Sequence, residues 1–258
     1  MIGITTDKPE KICSDHFLLR IDVPNVLSSP GQFVNIRIGD QTDPLLRRPF
    51  SIHNHKDNII EIVFRVVGKG TRLLSNYENL GKVDIIAPLG NGFTLIEGGR
   101  ALIIGGGVGN APLYYLAELL KRRDIHVTFL YGARSKEYVY LQNKYESVAS
   151  RFVLTTDDGT DGRKGIVSDV AEELFQKEDF DIIYVCGPNA MIGSVIDLLN
   201  KLSIPTPIEI SVETYFGCGI GICYGCTIDT LVGQKRACVD GPVFDGRIIR
   251  WDAFQQSQ

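Results

Sequence analysis

The sequence has no apolar stretch approaching the roughly 20 residues that a membrane-crossing helix needs, so a helical span is excluded. The opening residues, Met1 to Glu10, lack the apolar core of a secretion signal, and the expected location is the cytoplasm. No basic run is present and the net charge is −4, which leaves nucleic acid without an electrostatic foothold. The four histidines form no H-x-x-x-H or H-E-x-x-H pair. His53 and His55 alternate at a predicted strand end, His16 and His126 fall in separate strands, and all four read as structural. No serine sits in a nucleophile elbow, so hydrolysis has no support. Internal repeats and low-complexity segments are also missing. Cysteine is scarce over most of the chain, with only Cys13 and Cys186 before the last fifth, where the other four cluster. A secreted disulfide scaffold is usually short and carries cysteines throughout. In a reducing compartment a terminal cluster reads instead as a metal or redox site.

What is present divides into three modules. Over the first hundred residues, Phe17–Ile21, Phe33–Ile38, Ile59–Val66 and Val83–Ile86 are short β-branched runs. Turn signals such as Ser28-Ser29-Pro30-Gly31 and Gly39-Asp40 separate them, which predicts a closed or nearly closed antiparallel barrel. From about Arg100 strands alternate with helices. Ala101–Ile104, Val127–Tyr131, Phe152–Leu154, Ile182–Cys186 and Ile208–Val212 are the strands. Leu113, Leu116, Ala117 and Leu120 form one helical stripe, and Ile192, Val195, Ile196 and Leu199 another. This alternation predicts a doubly wound parallel sheet. The tail from Glu213 is rich in Gly and Cys, with strands expected only at Thr227–Leu231 and Arg247–Trp251. Such a segment needs a metal staple to hold a fold. The boundaries expected are 1–97, 98–212 and 213–258.

The strongest chemical signal is Cys218-Gly-Ile-Gly-Ile-Cys223-Tyr-Gly-Cys226, with Cys238 following after eleven residues. The C-x4-C-x2-C…C order is the plant-type [2Fe–2S] spacing, in which one loop wraps the cluster with three thiolates. Gly217, Gly219, Gly221 and Gly225 remove Cβ atoms, so backbone N–H groups can approach the sulfides. A four-cysteine zinc site is the competing reading, but it normally uses two short C-x2–4-C knuckles; the second half here supplies one cysteine.

Two weaker signals accompany it. Gly105-Gly106-Gly107-Val-Gly109-Asn-Ala-Pro112 lies between a strand and an amphipathic helix, where glycines admit a pyrophosphate to the backbone and the helix end stabilises its charge. Cys186-Gly187-Pro188 ends a later strand on the same sheet edge; a turn with no ligand is its bland alternative. Arg48-Pro49-Phe50-Ser51, with Gly70-Thr71 downstream, has side chains suited to a phosphate. Without further context an arginine next to proline is usually a solvated surface residue, and spacing alone leaves this signal weak. Arg134, Ser135 and Lys136 suit either an NAD ribose or an NADP 2′-phosphate.

Taken in order, these motifs resemble the ferredoxin reductase superfamily over nearly the whole chain. More narrowly they resemble the electron-transfer subunits of bacterial dihydroorotate dehydrogenase B. By that resemblance R-x-[YF]-[ST], here Arg48, Pro49, Phe50 and Ser51, binds FAD on the barrel. Val63, Phe64 and Arg65 form a second flavin-contacting strand, and Gly70 with Thr71 contacts a phosphate. Gly105, Gly106, Gly107 and Gly109, with Gly187 and Pro188, bind the nicotinamide nucleotide. Cys186 is the residue expected nearest its ring, with a buried small apolar residue as the equally open reading. Pro88-Leu-Gly90-Asn-Gly92-Phe93 closes the barrel, and Cys218 to Cys238 followed by Asp240-Gly-Pro-Val-Phe244 is the cluster segment. The chain departs from the family at Tyr215-Phe216, where an Arg-Met pair is common, and in a short stretch before Cys238. Both departures fall near the partner-facing surface.

The implied protein is multidomain β plus α/β: an antiparallel FAD-binding β-barrel, a doubly wound parallel-sheet nucleotide domain and a small C-terminal [2Fe–2S] module. The implied cofactors are FAD and the cluster, with NAD(H) as substrate. Hydride carries two electrons and the cluster accepts one; a flavin between them handles both. The implied partner is an FMN-containing dihydroorotate-oxidising subunit of pyrimidine biosynthesis, in an assembly with two copies of each chain. A stand-alone reductase feeding a ferredoxin or oxygenase is an alternative. So is the small subunit of an NADH-dependent ferredoxin:NADP oxidoreductase, although that family tends to have Asp where this chain has Cys218. A non-redox zinc module is the alternative from another class.

Overall fold

The computed structural model describes residues 2–39, 43–76 and 81–251. Asp40 of the expected Gly39–Asp40 turn and the end of the expected last module, 252–258, lie outside the described residues. The first sheet contains β1 (Ile2–Thr5), β2 (Glu10–Lys11), β3 (His16–Asp22), β4 (Phe33–Ile36), β5 (Arg48–Lys56), β6 (Ile59–Arg65) and β7 (Lys82–Leu89). Its order is β1-β7-β4-β5-β6-β3-β2, and β1 also pairs with β3. The extra pairing closes six antiparallel strands into a barrel, leaving β2 as an outrigger on β3. Alternation along the strands sends Leu19, Ile21, Val34, Ile36, Ile52, Ile60 and Ile62 into its core. A short helix α1 (Lys69–Ser75) follows β6.

The second sheet is β8 (Arg100–Gly106), β9 (His126–Ala133), β10 (Arg151–Thr156), β11 (Arg163–Lys164), β12 (Ile182–Cys186), β13 (Ile208–Ser211) and β16 (Val243–Asp245). A separate hairpin of β14 (Thr227–Thr230) and β15 (Gly233–Arg236) carries part of the tail. The order β11-β10-β9-β8-β12-β13-β16 is parallel except for β16, which runs antiparallel to β13. Helices α2 (Asn110–Arg122), α3 (Gln142–Val148), α4 (Val167–Phe175) and α5 (Asn189–Lys201) flank it. Chain order reverses between β8 and β12, which opens a crevice at their carboxyl ends. The sheet is buried on both faces, hence its unbroken apolar runs.

Helix α2 joins the two domains. Its Leu113, Leu116, Ala117 and Leu120 pack on the sheet, whereas Tyr115 inserts into the barrel core. The Tyr115 hydroxyl donates to the Ser28 carbonyl at 3.0 Å. His53 of β5 is fully buried at this seam; its ring stacks on Tyr114 at 4.8 Å and its Nδ1 lies 2.8 Å from the Ala111 carbonyl. Glu61 of β6 and Lys144 of α3 form an ion pair across the same seam at 3.7 Å.

The tail differs from expectation in two ways. Arg247–Trp251 is not a strand beyond a single bridge between Ile249 and Thr230; the strand is Val243–Asp245, and it extends the parallel sheet. Cys226, Ile228, Ala237, Cys238, Phe244 and Ile249 merge with the core of the α/β domain. The tail therefore shares a neighbour's core rather than standing on a metal alone. The barrel-closing loop is tied to it as well: Asn91 N–H donates to the Gly241 carbonyl at 2.6 Å, and Gly90 lies against Pro242, where a Cβ would be 2.6 Å away. Thus the P-L-G-N-G-F and D-G-P-V-F motifs, distant in sequence, are one contact.

Candidate functional site

The four terminal cysteines come together in one loop and at the open end of the β14–β15 pair, with Cys226 just before β14 and Cys238 just after β15. Their side chains meet two and two: Cys218 with Cys223, and Cys226 with Cys238. The first pair is open to solvent and the second is buried, with Cys226 2% and Cys238 1% exposed. None is in a disulfide. Among the described residues, no three His, Cys, Asp or Glu side chains close on one point as the ligands of a single ion would. Two pairs side by side suit two bridged irons better than one tetrahedral zinc.

The loop's amides are organised around sulfur. Cys218 Sγ lies 3.3–3.5 Å from the N–H groups of Ile220, Ile222 and Cys223. Cys223 Sγ accepts from Cys218 and Gly225, and Cys238 Sγ accepts from Gly221 at 3.2 Å. Burial opposes ionisation of Cys218, but these N–H groups outweigh it and bring the thiol to about 6. Burial, followed by the adjacent Cys226 thiol, pushes Cys238 up to about 12. Gly219 and Gly221 have φ of +74° and +81°, conformations that a side chain would strain. Arg236 fastens the loop from outside, donating to the Gly221 carbonyl at 2.8 Å and lying over the Tyr224 ring. The donor set and its N–H cradle fit a [2Fe–2S] cluster. Around the loop, Tyr215, Ile220, Ile222 and Tyr224 are exposed apolar side chains.

At the sheet crevice, Gly105–Gly109 and Cys186–Pro188 do meet. Gly105 is in register with Cys186, and a Cβ on Gly109 would lie 2.5 Å from the Gly187 Cα. Gly107, with φ +56°, faces open space. The turn is held from behind by residues that sequence reasoning missed. Asn110, fully buried, donates from Nδ2 to the carbonyls of Gly107 and Gly132 at 2.9 and 3.2 Å. The Tyr140 hydroxyl donates to the Gly107 carbonyl at 3.2 Å, and the Tyr145 hydroxyl to the Asn110 carbonyl at 3.0 Å. With these carbonyls engaged behind, the turn suits a phosphate on its open side. Cys186 is 2% exposed, and burial with the charge of nearby Glu213 pushes its thiol up. Further along the edge, Arg134, Ser135, Glu137, Tyr138, Asp157 and Asp158 line an open cleft of about 560 Å³.

On the barrel, Arg48 and Gly70 are adjacent; a Cβ on Gly70 would stand 2.8 Å from the Arg48 Nε. The missing side chain leaves the guanidinium room beside α1, which fits a phosphate of FAD. Thr71 is engaged locally: its hydroxyl oxygen accepts from the N–H groups of Val67 and Gly68. Phe50 and Phe64 pack edge-to-face inside the barrel, and Val63 contributes to the seam with the second domain. Arg65 points outward to Asp15 at 2.7 Å. Pairing of β4 with β5 sets Phe33 opposite Ser51 and Asn35 opposite Pro49, so these four share one face. That face meets the cluster module: Phe33 packs on Phe216 at 5.0 Å, and Asn35 bonds the Cys218 carbonyl.

Comparison with known proteins agrees with this arrangement. Residues 213–250 match the iron-sulfur cluster binding domain of dihydroorotate dehydrogenase B, and residues 103–197 match the oxidoreductase NAD-binding domain. The electron transfer subunit of dihydroorotate dehydrogenase B (NAD(+)) from Desulforamulus reducens is 35% identical, covering 93% of this chain and 95% of that one. The subunit of the same name from Fusobacterium nucleatum is 34% identical over 93% of this chain and 95% of its own. Among solved structures, one described as the NADH-dependent reduced ferredoxin-NADP oxidoreductase superposes with a TM-score of 0.88 at 32% identity, covering all of this chain and 92% of that one. An Amycolatopsis cytochrome P450 reductase shares the fold, with a TM-score of 0.68 at 23% identity over 78% of this chain and 66% of that one.

Proposed function

Because the chain belongs to the electron-transfer subunits of dihydroorotate dehydrogenase B, we propose that it carries electrons from a dihydroorotate-oxidising partner to NAD⁺ through [2Fe–2S] and FAD. It is an oxidoreductase subunit of pyrimidine biosynthesis. The partner holds FMN and assembles with this chain as two copies of each, in the cytoplasm; the described residues contain no helix long and apolar enough to cross a membrane. The domain division is 1–97, 98–212 and 213–258.

One adjacency supports this reading above the rest: the β4–β5 register. Through it Pro49 and Ser51 of the flavin motif lie on the face to which Phe33 and Asn35 bind the cluster loop. FAD supplies the exchange between a hydride pair and single electrons. The chain's own residues hold and orient. Arg48 neutralises an FAD phosphate in the space left by Gly70. Gly105–Gly109 receives the pyrophosphate of NAD(H), and Cys186-Gly187 forms a tight floor beneath its nicotinamide. Cys218, Cys223, Cys226 and Cys238 hold the irons, and the N–H groups on their sulfurs stabilise added negative charge. The exposed collar of Tyr215, Ile220, Ile222 and Tyr224 is the face through which the partner exchanges electrons. No side chain need act as acid or base in hydride transfer; alignment is the contribution.

The test is reconstitution with a dihydroorotate-oxidising subunit and measurement of dihydroorotate-dependent NAD⁺ reduction. Activity that requires both chains, with flavin and iron-sulfide absorbance in this one, is the expected outcome. Reduction of ferredoxin by NADH with no response to dihydroorotate would favour the second reading. That reading is the small subunit of a ferredoxin:NADP oxidoreductase, for which the 0.88 superposition speaks.

A further inference from the structure

Asn35 is out of place in β4. The strand reads Phe-Val-Asn-Ile and is buried throughout, and Asn35 has no exposure at all. A leucine or valine would meet the packing demand without desolvating an amide. Among the described residues the amide has one hydrogen-bond partner: Nδ2 donates to the Cys218 carbonyl at 3.2 Å, across 183 residues of sequence. Its Oδ1 is buried and has no hydrogen-bond partner among the described residues. Gly219, at φ +74°, makes the approach possible, because a Cβ there would stand 2.5 Å from that Nδ2. In a trans peptide the carbonyl and the following N–H point in opposite directions. Holding the Cys218 carbonyl against the barrel therefore turns the Gly219 N–H away from it and fixes the orientation of the first cluster ligand's peptide. In the same strand pair Asn35 stands opposite Pro49.

We propose that Asn35 is a positioning residue for electron transfer between the flavin and the cluster, fixing the Cys218–Gly219 peptide against the strand that pairs with Arg48–Ser51. The inference rests on the reading of this chain as a flavin and [2Fe–2S] electron-transfer subunit. In each transfer one electron leaves the reduced flavin and converts one ferric iron of the cluster to ferrous; NADH supplies the electrons in the assay, and no bond to Asn35 forms or breaks. The amide acts by setting the spacing between the two centres and the dipoles around Cys218, both of which govern rate and potential.

Two apolar variants of the loaded protein test this, Asn35→Leu and Asn35→Val, neither of which can donate to the carbonyl. Stopped-flow mixing with NADH should bleach the flavin at the wild-type rate, whereas cluster reduction should slow by about tenfold or more. The frozen reduced cluster should show altered g values in both variants, and its reduction potential should shift from the wild-type value in both. Wild-type cluster reduction, g values and potential in both variants would overturn the proposal. Should both variants lose their cluster, Gly219→Ala decides: it pushes the same peptide off Asn35 and must shift the g values likewise, and wild-type values there would also overturn it. A wild-type protein without flavin or iron sinks the functional reading itself, an outcome visible before any variant is made.

Discussion

Acidification from pH 7.5 to pH 5 removes about 2 kcal/mol of folding stability through His53 alone. The imidazole is fully buried between β5 and α2, and burial is the main force that lowers it from 6.5 to about 4. The Ala111 carbonyl and the Glu61 carboxylate oppose that shift, and Lys144 adds to it. A depressed histidine has a definite sign. Below pH 6.5 the unfolded chain takes up a proton that the folded chain refuses until about pH 4. Its contribution is therefore complete above 6.5 and is lost as pH falls, reaching about 3 kcal/mol by pH 4. The comparison is His53→Asn, whose side-chain N–H can still donate to the Ala111 carbonyl but does not titrate. Loss of the Tyr114 stack lowers the variant's stability at every pH; the slope is the quantity that matters. His16, also lowered chiefly by burial, has the same sign and is present in both proteins. Urea unfolding at half-unit intervals should give a wild-type profile that drops about 2 kcal/mol more than the variant's between pH 7.5 and 5. Parallel profiles, or a ring titration near 6.5 by NMR, would refute the assignment.

Three further outcomes follow from the sites. Arg48→Ala should weaken FAD retention about tenfold to a hundredfold, because a charge-assisted phosphate contact is lost; unchanged flavin after gel filtration would count against the barrel site. Cys223→Ser, at the exposed pair, should abolish the iron-sulfide absorbance and spare the flavin bands, and simultaneous loss of both would contradict modular cofactor binding. Asp157→Ser, in the cleft shared with Arg134 and Asp158, should raise NADPH use relative to NADH, since one carboxylate no longer repels a 2′-phosphate; an unchanged ratio of kcat/KM values would place the ribose elsewhere.

The sequence by itself determined whatever depends on period and spacing. Short β-branched runs between turn signals marked most barrel strands, apolar runs alternating with helical stripes marked the parallel sheet, and C-x4-C-x2-C marked the cluster loop, because one short segment must wrap it. It missed β1, β2, β11 and β15 and the short helices α1, α3 and α4, which tertiary packing sustains more than local pattern. It also set a strand at Arg247–Trp251 instead of Val243–Asp245, where an edge of the α/β sheet was waiting for a partner.

Only tertiary structure decided how the pieces act together. Asn35 was visible as one polar residue in an apolar run, yet its partner lies 183 residues away. Asn110 stood within the quoted turn, and its meaning emerges only when Gly107 and Gly132 converge on it. His53 read as structural, which it is, but its titration is set by burial under a helix from another domain. Local chemistry needs only neighbours in the chain, so it is legible along the sequence. Burial, orientation and the distance between two centres are properties of strands and helices brought together from afar, and the chain acquires them only on folding.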